Sequence, residues 1–229
     1  SDVCFPIFNP VQKMITYSHA LGVRDLLFSE IQSYFPWHCT FLNDANAGAF
    51  AEGIGSDLPS SFFYLSLSNT VGGAIFHDGN LLPGDTFRCG EAGHMTLIPD
   101  GKPCYCGKTG CVDAYCSARL LSDLSGGRLE DFFLGLQQNN PDYRSVWDTY
   151  LKHLAVVINN LHMLLDYDIV LGGYVGSFLT PWLDTIRHLV AERNTFEDDG
   201  SFVKLCTYQT GAAAYGAAMD VMEEFLRTV

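Results

Sequence analysis

One short stretch limits what this chain can fold into more than any other. It reads Gly90-Glu91-Ala92-Gly93-His94, then, after a short loop, Pro103-Cys104-Tyr105-Cys106-Gly107-Lys108-Thr109-Gly110-Cys111-Val112-Asp113. His94, Cys104, Cys106 and Cys111 make a closed set of one imidazole and three thiolates, the donor set of a structural zinc. The glycines after Cys106 and before Cys111 let the backbone turn tightly enough to return the third thiolate to the same ion. Reduced, buried core cysteines are the other reading, since a free thiol packs as a small hydrophobe. The spacing Cys-x-Cys-Gly-x-x-Gly-Cys with an upstream Gly-His favours zinc.

At 229 residues the chain has room for one large domain or two small lobes on a shared core. Hydrophobic residues make up 48% and charged residues 17%, which is a globular and not a disordered balance. A formal net charge of −13 would be repelled by phosphate backbones, so this segment is not expected to hold DNA or RNA. There is no apolar run of about 18 residues, so no membrane span is expected. Ser1 to Pro6 lacks the basic-then-apolar form of a secretory signal. Three of the eight cysteines sit at metal spacing, which points to a reducing cytoplasm and away from disulfides.

Strands and helices alternate along the chain, which predicts an α/β fold. Val3-Cys4-Phe5, Met14-Ile15-Thr16-Tyr17, Cys39-Thr40-Phe41-Leu42, Ser61 to Leu67, Gly73 to His77, Asp168 to Leu171 and Phe202 to Leu205 read as strands or extended segments. Asp78-Gly79 reads as a turn. Helical spacing predicts helices over Arg24 to Phe35, from Asp113 to Leu121, over Val146 to Leu165 after a loop at Asn139-Asn140-Pro141, around Leu179 to Arg193, and from Gly211 onward. Asn43-Asp44-Ala45-Asn46-Ala47-Gly48-Ala49 follows the Cys39 segment and starts another helix. On residue type alone Asp44 is best read as its N-cap. Gly172-Gly173 is, on the same ground, a tight strand-to-helix turn.

The stretch from Gly90 to Asp113 resembles the signature of the ROK family of repressors, open reading frames and sugar kinases. That pattern is Gly-Glu-x-Gly-His, a loop, Cys-x-Cys-Gly-x-x-Gly-Cys, a hydrophobic residue and then usually Glu, where this chain has Asp113. Asn43-Asp44-x-Asn46-Ala47 and the ending Gly211-Ala212-Ala213 with Ala217-Ala218 resemble the family too. The resemblance implies the actin-like ATPase (ribonuclease H-like) fold, mainly its C-terminal lobe with part of the N-terminal lobe. Residues 1–60 would be the remainder of the N-terminal lobe and residues 61–229 the C-terminal lobe, with the zinc motif at 90–113. About 80–100 further residues normally precede this point, the size of an additional lobe, so the chain reads as truncated at its N-terminus. Pro6 matches the family's Pro-Gly, but Ile7 replaces its glycine.

The resemblance also implies site roles. Asn43, Asp44, Glu91, His94 and Asp113 would contact sugar hydroxyls, with Asp44 as general base if the protein is a kinase. His94 would bind zinc through one ring nitrogen and face the sugar with the other. Zinc closed by four protein ligands would be structural, with no open position for water. Gly72, Gly73, Gly172 and Gly173 would lie by a nucleotide. The family's Gly-Thr-Gly-Ile-Gly-Gly phosphate loop is here Ser68-Asn69-Thr70-Val71-Gly72-Gly73. A β-branched Thr70 does not readily take a glycine-only conformation. The Asp-x-Gly-Gly-Thr loop that holds Mg-ATP phosphates does not occur in the sequence. From these departures the sequence favours the sugar-sensing body of a ROK transcriptional regulator, with DNA held by a missing N-terminal domain. The alternative is part of an ATP-dependent sugar kinase. On the favoured reading this chain is not expected to phosphorylate sugars. A homo-oligomer is expected in either case.

Overall fold

Strand and helix alternate in a computed structural model that describes residues 7–9, 13–18, 22–37 and 39–228. The first strands, β1 (Ile7–Asn9), β2 (Met14–Ser18) and β3 (Val23–Leu27), form an antiparallel sheet in the order β1-β2-β3. The strand expected at Met14 to Tyr17 is therefore present, while Val3-Cys4-Phe5 lies outside the described residues. The helix expected over Arg24 to Phe35 is shorter than its apolar spacing suggests. Its first half is β3, paired with β2 from Val23 to Leu27, and only α1 (Phe28–Gln32) is helical. Hairpin pairing outcompetes helical propensity there. The strand expected at Cys39 to Leu42 does not form, because no strand pairs with it among the described residues. Instead the Cys39 N–H donates to Gln32 Oε1 at 2.7 Å, and Phe41 stacks on Phe28.

Next come α2 (Asp44–Gly55), β4 (Phe62–Leu67), β5 (Val71–His77) and β6 (Asn80–Leu81). Asp78 and Gly79 both have positive φ, as the Asp-Gly turn between β5 and β6 requires. After the cysteine-rich loop follow α3 (Asp113–Cys116), α4 (Ala118–Ser122), α5 (Leu129–Gln137) and α6 (Pro141–Leu165). The helix expected from Asp113 to Leu121 breaks at Ser117, which is extended while the Ala118 N–H donates to Ser68 O. Helix α5 was not anticipated, although Leu129, Phe132, Phe133 and Leu136 carry its buried face at helical spacing. Asn140 caps α6 and Pro141 occupies its first turn, as such a start favours. The chain ends through β7 (Asp168–Gly172), α7 (Gly173–Gly176), α8 (Leu183–Ala191), β8 (Val203–Leu205) and α9 (Ala212–Thr228).

The second sheet has the order β6-β5-β4-β7-β8, with β4, β7 and β8 parallel and β5 and β6 antiparallel. Every residue of β4 is buried, so alternate side chains serve two cores. Phe63, Leu65 and Leu67 join Ile169, Leu171, Trp147, Leu154 and Ile158 in the larger core, which draws on α5, α6 and α8. Phe62 and Tyr64 face the other way, onto Ala45 and Ala49 of α2 and Ala212 of α9. No helix among the described residues is long and apolar enough to cross a membrane.

The small residues of α2 and α9 allow their backbones to meet. A Cβ on Gly216 would collide with the Ala47 carbonyl. Buried Glu52 ties α2 to the segment that leads into α9, since its Oε1 accepts the Tyr208 N–H at 2.9 Å, and the Tyr208 hydroxyl also donates to Gly55 O. This seat fixes the start of α2, where Asp44 lies. Gly216→Ala should therefore lower stability by about 1–3 kcal/mol, the usual cost of overpacking a tight contact. Gly211→Ala, whose new methyl would meet only ordinary contacts, is the control. Urea midpoints of the two variants check this, and equal midpoints would mean the helices do not depend on the contact.

Candidate functional site

The cysteine-rich loop folds back on itself as a small knuckle. Thr96 bridges Cys111 and Pro103 bridges Thr109 in antiparallel fashion, and the Cys104 N–H donates to Lys108 O at 2.8 Å. Gly107 and Gly110 both have positive φ, as expected at the two turns. Cys104, Cys106 and Cys111 are free thiols. Their sulfur atoms and a ring nitrogen of His94 all lie within 4.8 Å of one another. Cys106 Sγ and Cys111 Sγ are 3.8 Å apart. A tetrahedral zinc with bonds of about 2.3 Å would separate two sulfurs by about 3.8 Å, so the residues fit such an ion. Burial pushes the Cys104 thiol up to about 12, so a thiolate there calls for a cation beside it. Burial also lowers His94, favouring the neutral ring that a ligand needs. The Tyr105 ring meets His94 edge-on, with its hydroxyl 3.4 Å from Nε2.

The N-cap of α2 is Asn43 and not Asp44. Asn43 Oδ1 accepts the Ala45 and Asn46 N–H groups at 3.0 and 3.1 Å. Asp44 is thus the first helical residue. Its carboxylate accepts the Ala45 N–H at 2.9 Å and lines a cleft of about 550 Å³. Burial raises its pKa from 3.8 to about 6, the Ala45 N–H opposing and the negative charge of Glu91 adding to the rise. Glu91 is itself raised by burial, with Arg88 opposing. Glu91 is delivered by Gly90, which has a φ of +87°, and a Cβ there would collide with the Gly73 carbonyl. Asp113 opens α3. Its Oδ1 accepts the Val71 N–H at 2.6 Å, and burial raises its pKa to about 6 against that bond and Arg119.

The same cleft is lined by Ser68, Asn69 and Thr70 after β4, by Gly173 and Tyr174 after β7, and by Gln209 and Thr210 before α9. It thus opens at the carboxyl ends of the parallel strands, where open α/β sheets bind ligands. Gly72 and Gly73 lie within β5, and Gly172 ends β7 against Tyr64. Neither Ser68 nor Thr70 is among the residues with positive φ. The turn therefore does not demand glycine, and the objection drawn from a β-branched Thr70 is removed at the backbone. Tyr174, Gln209 and Thr210 were not anticipated. Tyr174 adjoins the glycine pair, and the other two are a polar pair before a run of small residues, which were the available signals.

Residues 3–224 match the ROK family. The N-acetylmannosamine kinase of Vibrio cholerae serotype O1 is 31% identical over 144 residues, covering 60% of this chain and 50% of the relative. That of Escherichia coli O7:K1 is 32% identical over 194 residues, covering 81% and 65%. The chain thus spans one half to about two thirds of the length of these relatives. Among solved structures, a ROK family glucokinase from Streptomyces griseus in complex with glucose and AMPPNP superposes with a TM-score of 0.81. It is 20% identical and covers 94% of this chain and 78% of that one. A ROK family transcriptional regulator, a homologue of the E. coli MLC protein, gives a TM-score of 0.71 at 22% identity, covering 91% and 59%. The fold is the actin-like ATPase fold of the sugar kinases.

Burial of Asp44 has a consequence for stability. The folded chain holds this proton more tightly than the unfolded chain, so the contribution is complete below pH 4 and is lost as pH rises through about 6. Asp44→Asn carries no charge at any pH. It should therefore stabilise the fold at pH 8 by about 1–3 kcal/mol and give no gain at pH 4. Thermal unfolding at the two pH values checks this, and a gain independent of pH would contradict it.

Proposed function

The chain belongs to the ROK family, and from that premise we propose that it is the sugar-binding, base-bearing part of an ATP-dependent sugar kinase. A hexose or N-acetyl hexosamine is the substrate class. The observation that carries this reading is Asp44, a half-buried carboxylate in one cleft with the Ser68–Thr70 turn and Gly173. The relatives at about 30% identity include N-acetylmannosamine kinases and a glucokinase, which favours the kinase over the regulator that the sequence alone preferred. On this reading residues 1–60 belong to the N-terminal lobe and 61–229 to the C-terminal lobe.

Asp44 takes the proton of one sugar hydroxyl as that oxygen attacks phosphorus. A base of pKa about 6 is largely ionised at neutral pH yet close enough to it to accept a proton usefully. Asn43, Glu91, His94 and Asp113 orient the remaining hydroxyls. Sites built from such groups discriminate strongly among polyols, since an unmatched partner is left buried. Bound Mg-ATP would supply the phosphoryl group, and Gly173 with the Ser68–Thr70 turn would lie on its side of the cleft. Zinc on His94, Cys104, Cys106 and Cys111 would be structural, holding the His94 ring and the turn that carries Glu91.

The test is a coupled ATPase assay of the longest natural form of the protein with N-acetylmannosamine, glucose and other hexoses. ADP release should require the sugar. It should fall about 10²–10⁴-fold in Asp44→Asn, the usual worth of a general base, while sugar affinity stays within a few-fold. Sugar binding with no ADP release would sink the kinase reading and favour the regulator, to which the fold is also similar. For the metal, elemental analysis of protein purified without added metal should give one zinc per chain. Chelation should lower both the thermal midpoint and sugar affinity. A folded, metal-free chain would contradict the zinc assignment.

A further inference from the structure

Val71 opens β5 directly after the Ser68–Thr70 turn, and it is gripped from two sides. On one side its N–H donates to Asp113 Oδ1 at 2.6 Å, with Val71 and Asp113 both buried. On the other, the Gly93 backbone lies so close to the Val71 carbonyl that a Cβ on Gly93 would collide with it. Both gripping residues sit beside members of the four-ligand set. Gly93 immediately precedes His94, and Asp113 lies two residues after Cys111. The two segments are joined to each other, because the Val112 N–H donates to Met95 O at 2.9 Å. The turn is held at its other end as well. The Ala118 N–H donates to Ser68 O at 2.7 Å, and the Tyr150 hydroxyl donates to Cys116 O, fixing the short helices on α6.

We propose that Asp113 is a positioning residue for the Ser68–Thr70 turn, and that a metal on the four ligands sets the geometry of that turn by locking the two segments that hold Val71. The metal half rests on the zinc reading above; the Asp113 half does not. One methylene shorter than glutamate, the Asp113 side chain brings its carboxylate onto the neighbouring backbone N–H, so one of its oxygens is committed to the turn. A buried, charge-assisted hydrogen bond of this kind is among the stronger ones and is shielded from water. The metal centre thereby reaches the phosphate side of the cleft without touching any ligand there.

Hydrogen exchange of the Val71 amide, followed by two-dimensional NMR of the whole chain, is the test, with the Val170 amide in the sheet centre as reference. In Asp113→Ala the Val71 amide should exchange at least about tenfold faster while Val170 is unchanged, as expected on losing one strong buried bond. Asp113→Asn keeps an acceptor without the charge and should fall between wild type and Asp113→Ala. Asp113→Ser, too short to reach Val71, makes the same comparison if the alanine variant does not fold. Chelation should speed Val71 at least about tenfold in wild type and much less in Asp113→Ala. Unchanged Val71 exchange in both Asp113→Ala and Asp113→Ser overturns the positioning role. Asn behaving like Ala overturns it too. Chelation that leaves Val71 unaffected overturns the metal link. A chain found to carry no metal overturns the zinc reading and the link together, and the variant comparison still decides the role of Asp113.

Discussion

Strand β4 is the constraint on which the rest depends. It is buried along its whole length and paired on both sides, antiparallel with β5 and parallel with β7. Its odd and even residues belong to different cores, so a one-residue slip would exchange Phe63, Leu65 and Leu67 for Phe62 and Tyr64. With register fixed this strongly, the carboxyl end of β4 is fixed too. The Ser68–Thr70 turn, Gly173 and the start of α2 then converge on one cleft.

Three carboxylates of a chain that is already strongly acidic are held partly or wholly away from water, and of the three Asp44 lines the cleft. Asp44, Glu91 and Asp113 are all raised by burial, and Glu91 adds to the rise at Asp44. The fold tolerates them through hydrogen bonds from backbone N–H groups, Ala45 to Asp44 and Val71 to Asp113. Carboxylates kept in such surroundings cost stability, and functional sites are where that cost is characteristically found. A polar ligand that hydrogen-bonds them offsets part of it.

Much of this was legible in the sequence. The four candidate metal ligands could be read from spacing because donor type and interval constrain each other, and the chain brings the four together. The β5–β6 turn, the buried strand β7 and the long helix α6 followed from Asp-Gly, an apolar run and helical spacing. What failed were matters decided by distant partners. Residues 24–27 have helical spacing but pair with β2, and Cys39 to Leu42 is apolar but has no strand to join. Residue type alone makes Asp44 a cap, because asparagine and aspartate cap equally well, and only the structure shows Asn43 in that role. The grip of Asp113 on Val71 spans 42 positions, and no local pattern announces it.

The central claim is that Asp44 faces a sugar hydroxyl in this cleft. The most direct measurement is a crystal structure of the chain with N-acetylmannosamine or glucose bound. A hydroxyl oxygen should lie within about 2.6–3.2 Å of the Asp44 carboxylate, the reach a general base needs, with Glu91 and His94 on neighbouring hydroxyls. A sugar bound elsewhere, or one seated in the cleft with Asp44 turned away from every hydroxyl, would contradict it.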